Sequence, residues 1–241
     1  MTLLTCVSSE ITKLRTLPLA VLAAVGTVLI GAVITAALAA NAVDQGAPAG
    51  ATAVLQAVPF AQVGIILLGI LPAAHEHAGS QFRTTLVAVP NRGLLATGKT
   101  LAALIALTVT AALTVGVSLA TAAIAHHLSS VPLPARGAEP WALAGAAVYL
   151  SLIGMLAHVV ALLVRHLVPA LVTMLALVLV VPPLLAGVTE HARWLPDRAG
   201  SLLYLPGADT ALTPGTGALV LVGWVLVIGA AAVAAFITRD A

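Results

Sequence analysis

The chain has 241 residues, 61% of them hydrophobic and only 7% charged, with a mean hydropathy of +1.14. Soluble domains carry about 25% charged residues, so a soluble core is excluded and a membrane protein is expected. The net charge is +2 and its basic residues are scattered, which excludes a nucleic-acid partner and leaves charge as topology information; the one cysteine, Cys6, excludes an internal disulfide.

Six apolar runs follow in chain order: Leu17–Ala40, Val54–Ala74, Thr100–Ala125, Trp141–Val164, Leu167–Val188 and Gly217–Thr238, each free of Asp, Glu, Lys and Arg. About 20 helical residues span the roughly 30 Å hydrocarbon core. Backbone groups there must be satisfied within the segment, and the runs lack the alternation of barrel strands, so each is expected to be a helix. Ala37 to Ala39 resembles a signal-peptidase site, but the first run exceeds the roughly 7–15 apolar residues of a signal peptide and reads as a retained helix. The expected fold class is an all-α membrane protein with six spans forming one domain over 1–241.

Lys/Arg asymmetry sets the expected orientation. With the N-terminus inside, Lys13, Arg15, Arg83, Arg92, Lys99, Arg165 and Arg239 face the cytoplasm, seven of ten, and only Arg136, Arg193 and Arg198 lie outside. Both termini are then cytoplasmic. Arg165 and His166 form a tight inner turn, so the fourth and fifth helices are expected to be antiparallel neighbours. The longest outer connection, 189–216, contains Trp194 and Tyr204 and reads equally as an interfacial or a re-entrant piece.

The inner segment 75–99 is the most informative. Gly93, Gly98, Lys99 and Thr100 match the phosphate-binding pattern G-x-x-x-x-G-K-[ST], but that pattern works only between a strand and a helix in an α/β domain. The match reads as coincidence, with Lys99 marking the start of the third helix and snorkelling to the headgroups. A second pattern, E-x-x-G-[ST]-x-x-R-T-x-L-x-x-x-P-x-R-x6-K, stands here as Glu76, Gly79, Ser80, Arg83, Thr84, Leu86, Pro90, Arg92 and Lys99. With the six-run layout, Arg165-His166, Tyr204 to Pro206, Trp224 and Arg239-Asp240, this resembles ABC-2-type ATP-binding-cassette transporter permeases, especially short actinobacterial ones. The chain departs from that family at His77, where an aromatic residue is common, and at Ser80, where Thr is usual.

The resemblance implies a cytoplasmic interfacial coupling helix between the second and third spans, resting in a groove of a separate cassette-type ATP-binding subunit. ATP and Mg are bound there; the chain itself carries no cofactor and no catalytic residue. A second permease copy, identical or related, completes the pathway in the plasma membrane of a bacterium. The exported substrate is expected to be hydrophobic or amphipathic: a drug, natural product, peptide or lipid. The coupling residues are Glu76, Gly79, Phe82, Arg83, Leu86, Pro90 and Arg92. Phe82, Leu86 and Val89 follow helical spacing, and Glu76 and Arg83, seven residues apart, share a second face.

His75 and His77 at i, i+2 point apart on a helix, so no metal is expected there. His158 lies inside the fourth run, where an ionisable group is a functional candidate; a hydrogen bond to a neighbouring helix and the lining of a substrate path are its two readings. Pro182 and Pro183 must kink the fifth helix and read either as part of a gate or as a bent end. Two other functions stay open: an ATPase-independent secondary transporter or channel, against which the lack of Asp or Glu inside any run weighs, and a non-transporting scaffold or immunity subunit.

Overall fold

The computed structural model describes residues 2–47, 50–77, 92–129, 140–205, 207 and 211–238. Those residues form helices and connections, with no strand among them. Six helices are long and apolar enough to cross a membrane: Pro18–Asp44, Ala51–Ala74, Gly93–Leu128, Trp141–Val164, Leu167–Ala186 and Pro214–Ala235. Each contains most of one apolar run of the sequence.

An amphipathic helix that the hydropathy pattern does not reveal comes first. Helix α1 (Leu3–Thr16) begins with a capping box, in which the Thr2 hydroxyl accepts from the Thr5 N–H and the Thr5 hydroxyl accepts from the Thr2 N–H. Lys13 and Arg15 lie in its last turn, the negative end of the helix dipole. Leu17 is extended, as a residue before proline prefers, and Pro18 restarts the chain as the first residue of α2 (Pro18–Asp44), where its missing N–H costs nothing.

Helices α3 (Ala51–His77), α4 (Arg92–Leu128) and α5 (Pro140–Val164) follow. Arg165, at φ 64°, and an extended His166 make the tight turn into α6 (Leu167–Leu175). The Arg165 guanidinium donates to the Ala235 carbonyl in the C-terminal part of the last helix, where carbonyls lack helical partners. The fifth span is not a single α-helix. A π-helical turn, Ala176–Val180, separates α6 from α7 (Val181–Ala186). Pro182 and Pro183 cannot donate to the carbonyls of Val178 and Leu179, and the wider turn accommodates that gap. After a 3₁₀ turn, Glu190–Trp194, come α8 (Pro196–Ser201) and α9 (Pro214–Thr238).

Helices α3 and α5 form the centre. Ile65, Ile66, Ile70, Tyr149, Leu150, Ile153 and Leu156 are fully buried between them and their neighbours. Their spans are 67% and 72% buried, against 28% for α2 and 11% for α9, so the outer helices present apolar faces to lipid. Helices α2 and α4 pack along α3, α9 packs along α5, and α6 touches both central helices. Helices α3 and α5 approach closely at Gly69 and Gly154: a Cβ on Gly69 would collide with the Gly154 carbonyl.

The described parts of the connection 189–216, which the sequence left open, pack into the end of the bundle opposite α1. A Cβ on Gly145 would collide with the Leu203 carbonyl, and one on Gly217 with the Ala199 carbonyl. The Trp224 indole N–H donates to the Trp194 carbonyl at 2.9 Å. Asp197 reaches Tyr149, eight residues and so about 12 Å into α5 from Trp141.

Candidate functional site

The residues singled out from the sequence fall in three places. Gly79, Phe82, Arg83, Leu86 and Pro90 lie outside the described residues, as does the proposed coupling helix. Its flanks are described. Glu76 falls in the last turn of α3 and Arg92 is the first residue of α4, so the segment joins the ends of a 27-residue and a 37-residue helix. The phosphate-loop look-alike is helical throughout, because Gly93 to Thr100 form the first turns of α4.

Lys99 requires a correction. It is not the start of the third span and does not snorkel to the headgroups. Helix α4 begins seven residues earlier at Arg92, and Lys99 is buried at 6% exposure. Its Nζ lies 2.7 Å from a carboxylate oxygen of Glu10, itself 4% exposed, while Lys13 holds the other oxygen. Burying a charge is expensive unless it is paired, so this cluster exists only because α1 docks on α4. Shape supports the docking: a Cβ on Gly98 would come within 2.6 Å of the Cys6 sulfur. Cys6 and Glu10, four residues apart, form the inward face of α1. Sequence reading overlooked this role, although the Cys6, Glu10 and Leu14 spacing carries a helical signal.

His158 is fully buried in the α3–α5 contact, with Nδ1 3.1 Å from the Gly69 carbonyl. A carbonyl only accepts, so Nδ1 carries the proton. His158 is six residues from the end of α5 at Val164, whereas Pro182 is fifteen residues beyond Leu167. Along the axis the two differ by more than about 10 Å. His158 and the proline pair therefore do not form one site.

The end opposite α1 holds a polar network that sequence reading did not find. The Tyr149 hydroxyl lies 2.6 Å from Oε1 of Gln62 and 2.6 Å from Oδ1 of Asp197. One hydroxyl has one proton to give. With Asp197 protonated, the carboxyl donates to Tyr149 and Tyr149 donates to Gln62. With Asp197 ionised, Tyr149 donates to the carboxylate and a turned Gln62 amide donates to Tyr149. Tyr204 packs on Tyr149 at 5.0 Å between ring centroids. Burial pushes the Asp197 carboxyl above its ordinary 3.8, against downward pulls from the Tyr149 hydrogen bond and from Arg198. Burial, and then the Asp197 charge, raise the Tyr204 phenol.

A carboxyl raised in the folded state holds its proton more tightly when folded, so its contribution is full below 3.8 and is lost as pH rises through the folded value. Asp197→Asn, which keeps a hydrogen bond to Tyr149, is expected to raise the midpoint of thermal unfolding by a few degrees at pH 8 and to leave it unchanged at pH 3. Unfolding in detergent across that range measures it; a uniform drop at both pH values would contradict the network's proton economy.

Among the described residues no group of three or more His, Cys, Asp or Glu comes together to hold a metal. The six apolar helices, with α3 and α5 the most buried of them, fit a multi-pass membrane protein. The chain matches no protein-family model and no curated protein.

Proposed function

We propose that this chain is the membrane-spanning permease subunit of an ABC-2-type ATP-binding-cassette exporter. What carries the reading is the pattern from Glu76 to Lys99 set at the junction of α3 and α4. Helix α3 is one of the two central helices, so force applied at its end reaches the buried core. Helix α4 is tied to α1 through Glu10 and Lys99. A segment joining these two ends suits a point where a soluble subunit pushes on the bundle.

In this reading the segment 75–99 carries a coupling element on the cytoplasmic face, with both termini on that side, in a bacterial plasma membrane. Glu76, Phe82, Arg83, Leu86 and Arg92 meet a cassette-type ATPase that binds ATP and Mg. Two permease copies alternate access for a hydrophobic or amphipathic substrate. A conformational change requires a differential interaction with two states, and closure of the ATPase pair supplies it. Pro182 and Pro183, beside the π-turn, give the fifth span a bend at which a gate would flex.

Glu76→Ala and Arg83→Ala are each expected to cut transport by about tenfold, within the range of coupling free energies between sites, while ATP hydrolysis by the partner continues. Transport and hydrolysis measured together in proteoliposomes check this, and undiminished transport in both variants would remove these residues from the coupling role.

A further inference from the structure

We infer that a groove beside α1 is a binding site for one anionic phospholipid. The groove has a volume of about 240 Å³ and lies where α1, α2 and α4 meet over α3. Its floor is Leu68 of α3, 4% exposed, and its walls include Val21 and Val25 of α2 and Ile105 and Val109 of α4, all open to the surroundings. From Ala20 to Val25 and from Ile105 to Thr110 it follows six residues of each helix, a rise of about 7.5 Å along the bundle. Its lining is aliphatic along this length, with Thr110 buried at the deep end.

The mouth is different. Arg15, in the last turn of α1 at the corner before Pro18, lines the groove and is exposed. The Glu10 carboxylate, the acid on α1, is already held by Lys13 and Lys99. Among the described residues Arg15 makes no ion pair or hydrogen bond. A guanidinium with free donors at the edge of an aliphatic slot matches a phosphate attached to an acyl chain. Arg binds phosphate through two parallel N–H donors, and basic sites between membrane helices take anionic headgroups. The apolar walls ask for a chain below the headgroup, which commits the site to a phospholipid rather than to free phosphate. This inference rests on the six-span membrane layout and not on the exporter reading, so either stands if the other fails.

The test uses the full-length chain, purified, stripped of lipid in mild detergent and examined by native mass spectrometry. Palmitoyl-oleoyl phosphatidylglycerol and the matching phosphatidylethanolamine are the probes. The wild type is expected to retain one phosphatidylglycerol per chain, with about fivefold preference over phosphatidylethanolamine, the factor that roughly 1 kcal/mol from one basic residue gives. Arg15→Gln, at an exposed position, should abolish the preference and shift thermal unfolding by no more than a degree or two. Ala106→Trp, which fills the groove, should lower retention of both lipids. Arg193→Gln, at the other end of the bundle, should change nothing. Equal retention by Arg15→Gln, equal affinity for the two lipids, displacement by millimolar inorganic phosphate, or a dimer that excludes lipid from the groove would each overturn the site.

Discussion

Lys99→Met is expected to destabilise the chain by about 3–5 kcal/mol, the cost of leaving one partner of a buried ion pair alone. The Glu10 carboxylate would remain buried, held by Lys13, whose side chain is 46% exposed and is the weaker of its two partners in shelter from water. Lys13 compensates in part, so the lower end of that range is expected. Glu10→Met should cost a similar amount, because it removes the carboxylate that Lys13 and Lys99 share at the α1–α4 contact. The double variant Glu10→Met with Lys99→Met removes both charges and keeps similar volume, and buried pairs so replaced are often neutral or better. It should therefore recover most of the loss. Thermal unfolding of the four proteins in one detergent closes the double-mutant cycle. Additive losses would show that the two side chains act independently and that α1 is not held to α4 by this pair. Lys99→Arg separates the two accounts of this residue. A headgroup anchor would accept arginine, whereas a buried site fitted to an ammonium 2.7 Å from its partner must make room for a planar fork. A measurable loss is expected.

The second large effect is at the central crossing. Gly69→Val is expected to cost about 3 kcal/mol, the upper part of the usual range for overpacking. A side chain there meets the Gly154 backbone rather than a flexible tip, so the helices themselves must separate. Separation also lengthens the hydrogen bond from His158 to the Gly69 carbonyl, a polar tie between α3 and α5. Gly154 offers no relief, because its own Cβ position is taken by Leu107 and Ile65. Gly26→Val is the control. Nothing lies within 4 Å of its Cβ position on lipid-facing α2, so its unfolding midpoint should stay within a degree or two of the wild type. Equal losses at both positions would mean that helix propensity, and not the α3–α5 contact, governs the response.

The contrast between Gly26 and Gly69 shows what the sequence reveals. The spans are legible because each depends on a property summed over about 20 residues, and no single side chain can hide it. As residue types Gly26, Gly31, Gly69, Gly223 and Gly229 are alike. Only the structure separates them: Gly26 and Gly223 face open space, Gly31 meets Thr114, and Gly69 meets a backbone. The ends of the spans are less legible for the same physical reason that makes their middles clear. Arg92 and Lys99 carry charge, and charge in an apolar chain reads as the edge of the membrane. Lys99 escapes that rule because an acid 89 residues away neutralises it.

The connecting pieces follow a similar logic. Helix α1 is fourteen residues long and polar on one side, so a hydropathy search passes over it, although its capping box and Cys6–Glu10 spacing are visible once sought. Helix α8 has six residues and no propensity that would fold it alone. Its stability comes from contacts at Gly145, Gly200 and Gly217 that join distant parts of the chain. The Gln62–Tyr149–Asp197 network could not be read for the same reason: its members are 87 and 48 residues apart. The pattern at Glu76 to Lys99 was legible as sequence, and its middle lies outside the described residues.

The exporter reading depends most directly on a partner. Gentle affinity purification of the tagged chain from its native membrane, followed by mass spectrometry, tests it. The account predicts a soluble cassette-type ATPase at one copy per permease chain, lost when Glu76 and Arg83 are both replaced by alanine. A chain recovered repeatedly alone, or only with other membrane proteins, would contradict it.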